Sequence, residues 1–115
     1  MFILVTGASG QLGRSIKNLV EKSKVSHSFI FVSRDQLDLS YLKDIRIYFK
    51  DHKFDLIINC AAYTKVDKAE LDERQANLIN HLAVRQIAEI AQSNNIKLIH
   101  ISTDFVFDGL KQQLY

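Results

Sequence analysis

Three glycines at positions 7, 10 and 13, set between an apolar run and an amphipathic stretch, restrict this chain more than any other feature. The run Phe2 to Val5 has the unbroken apolar character of a strand buried on both faces. After the glycines, residues 11 to 24 carry Leu12, Ile16, Leu19 and Val20 at helical spacing, a face expected to pack on a sheet. Strand, glycine turn and helix start, in that order, form the βα unit of a dinucleotide site. Gly7 lets the chain turn off the strand, Gly10 lets backbone approach a pyrophosphate, and Gly13 lets the helix close on the sheet. The helix start then aims its N–H groups and positive dipole end at phosphates. The spacing is G-x-x-G-x-x-G, unlike the G-x-G-x-x-G of ordinary dehydrogenases. The flanking strand and helix therefore carry the inference as much as the glycines do.

A second apolar run, Phe29 to Val32, ends in Ser33 and Arg34. In the common NAD fingerprint an acid at this point binds the ribose hydroxyls; an arginine instead pairs with a ribose 2′-phosphate through a fork of hydrogen bonds. Ser33 and Arg34 thus lean toward NADP(H) over NAD(H). Asp35 lies within reach of a ribose, and Arg34 also suits a solvated loop. Asp38 and Leu39 are placed to bracket the adenine, one by hydrogen bonding and one by apolar contact, while Leu39 equally suits a core position below the loop. Ser40 reads as the N-cap of a helix over 41 to 51 with Leu42, Ile45, Tyr48 and Phe49 inward.

A third buried strand, Asp55 to Asn59, opens into Cys60-Ala61-Ala62-Tyr63-Thr64. Small residues at a strand's carboxyl end let a ligand lie close to backbone, on the edge where open α/β sheets bind ligands. Cys60 reads as a small buried apolar residue, since no His or Lys neighbours it in sequence to activate the thiol. A long helical pattern from Lys68 to Asn94 follows, ended by Asn94 and Asn95, which tolerate left-handed backbone. His81 within it has no cluster of ligating residues around it and is assigned no role. The fourth strand, Lys97 to Ile101, ends in Ser102-Thr103-Asp104.

Four strands alternating with three helices, without internal repeat, predict a right-handed, Rossmann-like parallel α/β sheet with helices on both faces and strand order 3-2-1-4. Thr103 then faces the glycine turn, beside Ala61 to Thr64, where a nicotinamide and its substrate would meet. At 115 residues and 47% hydrophobic the chain holds one core. Residues 1–115 are read as a single NAD(P)-binding domain cut off after its fourth strand. A net charge of +2 with acids and bases interspersed gives no basic stripe for nucleic acid. Four apolar residues after Met1 are too few for a signal peptide or membrane span, and the one cysteine cannot form an internal disulfide, so a reduced cytoplasmic setting is expected. No grouping of ligands points to a metal.

VTGASGQLGR, NCAAYTKVDKAE and HISTDFVFDG, in that order, resemble the N-terminal part of the extended short-chain dehydrogenase/reductases, within them the reductases of dTDP-4-keto-6-deoxy sugars. The resemblance covers the whole chain, and the second and third motifs discriminate more than the first. It implies NAD(P)H-dependent reduction of a 4-keto nucleotide sugar to dTDP-L-rhamnose. By the same resemblance Gly7, Gly10, Gln11, Leu12 and Gly13 hold the pyrophosphate, Asp38 and Leu39 the adenine end, and Ala61, Ala62 and Tyr63 the middle of the cofactor. Thr64, Val66 and Asp104 line the sugar site, and Thr103 matches the catalytic Ser/Thr that hydrogen-bonds the carbonyl oxygen as charge builds there.

Two departures stand out. Phe105 occupies a position where the family usually has tyrosine, removing a hydroxyl from the sugar pocket. The family's proton donor, the Tyr of Y-x-x-x-K, has no counterpart: Tyr41, Tyr48 and Tyr63 are followed four residues later by Ile45, His52 and Asp67, and Tyr115 resembles a loop tyrosine after the FDG segment. A general acid is worth roughly 100- to 10,000-fold in rate, so this polypeptide by itself is expected to bind cofactor weakly and turn over little or nothing. The alternative is a non-catalytic dinucleotide-binding module resembling the reductase-like regulatory subunit of methionine adenosyltransferase. An apolar fourth strand at the sheet edge also invites homo-oligomerisation through Ile99 to Ile101.

Overall fold

A computed structural model describes residues 1–60, 74 and 77–101. Four strands, β1 (Phe2–Thr6), β2 (Ser28–Val32), β3 (Leu56–Asn59) and β4 (Lys97–His100), form one parallel sheet. The helices are α1 (Gln11–Lys22), α2 (Leu42–Asp51) and α3 (Ala83–Ser93), and a π-helical turn, Leu78–Leu82, leads directly into α3.

The parallel α/β class is the one the sequence implies, but the strand order is β2-β1-β3-β4, not 3-2-1-4. The two more buried strands, Phe2–Thr6 and Leu56–Asn59, take the two central positions. The edges go to Ser28–Val32 and Lys97–His100, which begin on exposed Ser28 and Lys97 and are less buried overall. Asp55 fixes this choice at the amino end. Its N–H donates to the Phe2 carbonyl at 2.8 Å, its carboxylate accepts the Phe2 N–H at 2.7 Å, and its carbonyl accepts the Lys97 N–H at 3.1 Å. Apolar runs announce that strands exist; which of two neighbours each takes depends on such specific pairings.

The two faces of the sheet are covered unequally. On one, Leu4, Val32 and Ile57 pack with Ile45 and Phe49 of α2, Ala83, Ile87 and Ala91 of α3, and Leu37, Leu39 and Phe54 from the connections. Ile79, Ala83, Ile87 and Ala91 recur every four residues, which puts one stripe of the π-turn and α3 inward. The other face, with Ile3 and Val5 buried, is that of α1, whose Lys17 ammonium lies 6.0 Å from the Phe31 ring. Here the expected packing is only partly realised: Ile16 and Val20 are half-buried, but Leu12 and Leu19 are exposed, at 40% and 65%. Gly13 is the one buried residue of α1, so the helix is seated at its first turn and not along an apolar stripe.

One helix boundary also differs from the sequence reading. Tyr41, not Ser40, is the N-cap of α2, because the Ser40 hydroxyl and N–H both go to Asp38. At the other end of the chain α3 stops at Ser93, and Asn95 takes the left-handed conformation with φ 56°. No helix among the described residues is long and apolar enough to cross a membrane.

Candidate functional site

The glycine turn is built by backbone contacts that tolerate no side chain at one point. Gly7 has φ 68°, left-handed backbone that favours glycine, and it leaves β1 directly after Thr6. Its carbonyl accepts the Gly10 N–H at 3.1 Å, and the Gly10 carbonyl accepts the Arg14 N–H at 3.0 Å, so α1 begins at once. A Cβ on Gly13 would lie 2.3 Å from the Gly7 oxygen and 2.8 Å from Ala8 Cα, distances at which backbone must move. On Gly10 it would meet the Gly7 oxygen at 3.4 Å, at the limit of ordinary contact. The Ala8 N–H donates to the Val32 carbonyl at 3.0 Å, which ties the turn to the end of β2.

Gly10 is the N-cap of α1; no side chain caps that end and its first turn holds no acid. The first N–H groups of a helix have no partner within it, so a bare N-terminus presents donors and a partial positive charge. Gln11 and Leu12 are both exposed there, the position from which side chains flank anything lying on the turn.

The loop after β2 is closely tied. The Gln36 side-chain oxygen accepts the Ser33 N–H at 2.7 Å and the Ser33 hydroxyl at 2.5 Å, and the Ser33 carbonyl accepts the N–H groups of Gln36 and Leu37. Asp38 is the organising acid: Oδ1 accepts the Ser40 N–H at 3.0 Å and the Ser40 hydroxyl at 2.7 Å, and Oδ2 pairs with Arg34 Nε at 3.2 Å. Burial by itself would raise the Asp38 carboxyl, but the Ser40 hydrogen bonds, followed by Arg34, outweigh it and hold the group below the usual carboxylate range. Arg34 spends only Nε on this pair and its side chain is 67% exposed, so the remaining guanidinium edge faces solvent. Leu39 is 5% exposed within the core cluster. Its side chain belongs under the loop, in the core.

At the carboxyl end of the central strands sit two buried polar side chains, Thr6 (1% exposed) and Asn59 (0%). They are register partners on β1 and β3, and the Thr6 hydroxyl donates to Asn59 Oδ1. Asn59 in turn reaches the His100 ring on β4, with Nδ2 and Nδ1 3.1 Å apart. Thr6 and Asn59 fall within the motifs VTGASGQLGR and NCAAYTKVDKAE, but sequence reasoning assigned neither a role. Cys60 follows half-buried, and burial pushes its thiol up, away from reactivity.

The structure thus gathers Gly7, Gly10, Gln11, Leu12 and Gly13 in one turn, and Ser33, Arg34 and Asp38 in the next loop along the same sheet edge. Ala61, Ala62, Tyr63, Thr64, Val66, Thr103 and Asp104 lie outside the described residues, as do Phe105 and Tyr115. Among the described residues no group of three or more His, Cys, Asp or Glu is placed to hold a metal ion.

A parallel sheet with helices on both faces and a glycine turn between β1 and α1 defines a Rossmann-like domain of the short-chain dehydrogenase/reductase type. A family model described as the RmlD substrate binding domain matches residues 1–115, and the chain belongs to that family. It is 40% identical over 114 residues to a dTDP-4-dehydrorhamnose reductase of Aggregatibacter actinomycetemcomitans, covering 98% of this chain and 38% of that protein. A dTDP-4-keto-6-deoxy-D-glucose reductase of Streptomyces niveus is 36% identical over 112 residues, 97% of this chain and 38% of the relative. Among solved structures, the dTDP-4-dehydrorhamnose reductase of Bacillus anthracis in complex with NADP superposes with a TM-score of 0.74 at 30% identity, covering 84% of this chain and 34% of that one. The chain therefore spans little more than a third of the length of the relatives it matches.

Proposed function

We propose that this chain supplies the NADP(H)-binding portion of a reductase that converts a dTDP-4-keto-6-deoxy sugar to dTDP-L-rhamnose. One observation carries the reading: Gly13 lies so close to the Gly7 carbonyl that no side chain fits, and this holds an uncapped, acid-free helix N-terminus directly over the turn. That is a cradle for a diphosphate, with backbone N–H donors in place of cationic side chains. In it Gly7, Gly10, Gln11, Leu12 and Gly13 hold the pyrophosphate. The exposed edge of Arg34 meets a ribose 2′-phosphate, which favours NADP(H) over NAD(H), and Ser33 and the Asp38–Leu39 backbone border the adenosine end. Ala61, Ala62 and Tyr63 take the middle of the cofactor.

The bound nicotinamide supplies hydride to the sugar's C4 carbonyl. Thr103 donates a hydrogen bond to the carbonyl oxygen as it gains charge, and Thr64, Val66 and Asp104 border the sugar. The proton donor is not among these residues, so the polypeptide by itself turns over little. A cytoplasmic setting suits both the free thiol of Cys60 and a nucleotide-sugar substrate, and the outer edge of β4, unpaired among the described residues, is a surface for a second copy. The relatives' names as reductases favour this function over a regulatory dinucleotide-binding module.

A chimera tests the reading. Residues 1–115 replace the matching segment of the Aggregatibacter reductase, and reduction of the dTDP-4-keto sugar is followed by NADPH oxidation. Turnover dependent on NADPH is expected from the chimera and close to none from the 115-residue chain. A folded chimera that oxidises no NADPH would contradict the assignment.

A further inference from the structure

The row Thr6, Asn59 and His100 crosses three adjacent strands in register, at the end from which all the loops of the candidate site spring. Thr6 immediately precedes Gly7, Asn59 immediately precedes Cys60-Ala61-Ala62, and His100 stands three residues before Thr103. The two inner members are among the most buried polar side chains described, and buried polar groups are retained at a desolvation cost unless hydrogen-bonded to one another. Here they are. The Thr6 hydroxyl occupies Asn59 Oδ1, so the Asn59 amide nitrogen, which can only donate, faces Nδ1 of His100.

We propose that His100 is a positioning residue: by accepting the Asn59 amide at Nδ1 it couples the carboxyl end of β4, through Asn59 and Thr6, to the glycine turn. Backbone pairing alone sets the strands' register, but it leaves the splay of their carboxyl ends to the side chains that meet there. A chain of polar bonds across β1, β3 and β4 fixes that splay, and with it the relation of the end of β4 to the start of the glycine turn. The ring's neutral form must then carry its proton on Nε2, since Nδ1 is the acceptor. The significance of this coupling for hydride transfer rests on the function proposed above, but the coupling itself is a property of the free chain.

Nuclear magnetic resonance on the 115-residue chain without cofactor tests it in two ways. Long-range proton–nitrogen spectra of the imidazole are expected to show His100 as the Nε2–H tautomer, with Nδ1 unprotonated. A His100 ring found as the Nδ1–H tautomer overturns the proposal. In backbone amide spectra, His100→Leu is expected to displace the Gly7 and Ala8 resonances across the sheet, and His100→Asn, which keeps an acceptor near the Nδ1 position, to return them toward the original positions. Resonances of Gly7 and Ala8 that ignore His100→Leu, or that His100→Asn fails to restore, overturn it as well. Should His100→Leu not fold, Thr6→Val breaks the row at its other end, and an unchanged His100 ring signal in that variant counts against the coupling. None of these spectra uses NADPH, so a chain that bound no cofactor would sink the proposed function while leaving the outcome for His100 readable.

Discussion

Gly13 of α1 faces the Gly7 carbonyl so closely that a methyl group on Gly13 would lie 2.3 Å from that oxygen. The obstacle is backbone on both sides, with Ala8 Cα at 2.8 Å as well, and backbone cannot swing aside as a flexible side chain would. Gly13→Ala is therefore expected to lower stability by about 2 kcal/mol, within the range for overpacking, and to weaken NADPH binding at least tenfold by pushing α1 off the turn. Gly10→Ala, with its nearest contact at 3.4 Å, is expected to cost less than about 1 kcal/mol. Urea denaturation of both variants checks the ranking; equal losses would mean that the close approach does not matter.

Arg34 gives the cofactor preference its test. With Nε engaged by Asp38 and the rest of the guanidinium exposed, its expected contribution is to a 2′-phosphate and not to the fold. Hydrogen bonds to charged groups are worth about 1.5–3 kcal/mol, so Arg34→Ala should weaken NADPH binding by tenfold or more and leave NADH within about twofold. Side-by-side fluorescence titration reads the ratio, and an equal effect on both cofactors would place the phosphate elsewhere.

The depressed Asp38 carboxyl makes a prediction about pH. A carboxyl whose folded value lies below its unfolded value contributes stability above about pH 4, and that contribution is lost as pH falls through the folded value. Because Arg34 is largely exposed, the pair itself is worth under about 1 kcal/mol. Asp38→Asn should thus be measurably less stable than the unsubstituted chain at pH 7 and indistinguishable from it once the pH has fallen below the folded value of the Asp38 carboxyl. A gap that persists at low pH would assign the effect to the lost shape of the Ser40 contacts and not to charge.

The β4 edge predicts association. Among the described residues no strand pairs with the outer side of Lys97–His100, and Ile99 is 47% exposed on it. Such edges template pairing with a second chain. Sedimentation velocity should show concentration-dependent self-association of the 115-residue chain that Ile99→Lys reduces, and a monomer at every concentration would remove the edge from consideration.

How far the sequence could be read depended on whether neighbours in the chain or neighbours in space decided each feature. The glycine turn, the four apolar strands and the left-handed end at Asn95 are local, and each is where the residues place it. Strand order was not legible, since Asp55 chooses its partners across 53 residues, and the length and polarity of a run say nothing of that. Ser40 was misread in a related way. It has the right chemistry for a helix cap, but its N–H and hydroxyl go to Asp38 and leave the cap to Tyr41. Leu12 and Leu19 follow the helical period faithfully and still face solvent, because periodicity defines a face without saying what lies opposite it. The members of the Thr6–Asn59–His100 row each fall in one of the three motifs, but nothing in the sequence shows that they meet.

Everything turns on whether a diphosphate rests on the amino end of α1. Isothermal titration calorimetry of the 115-residue chain with NADPH measures this directly, with Gly13→Ala as the comparison. The expected result is a saturable one-to-one heat for the unsubstituted chain, stronger with NADPH than with NADH and absent or much reduced in the variant. No heat with either nucleotide, or the same binding in the Gly13→Ala chain, would contradict the account.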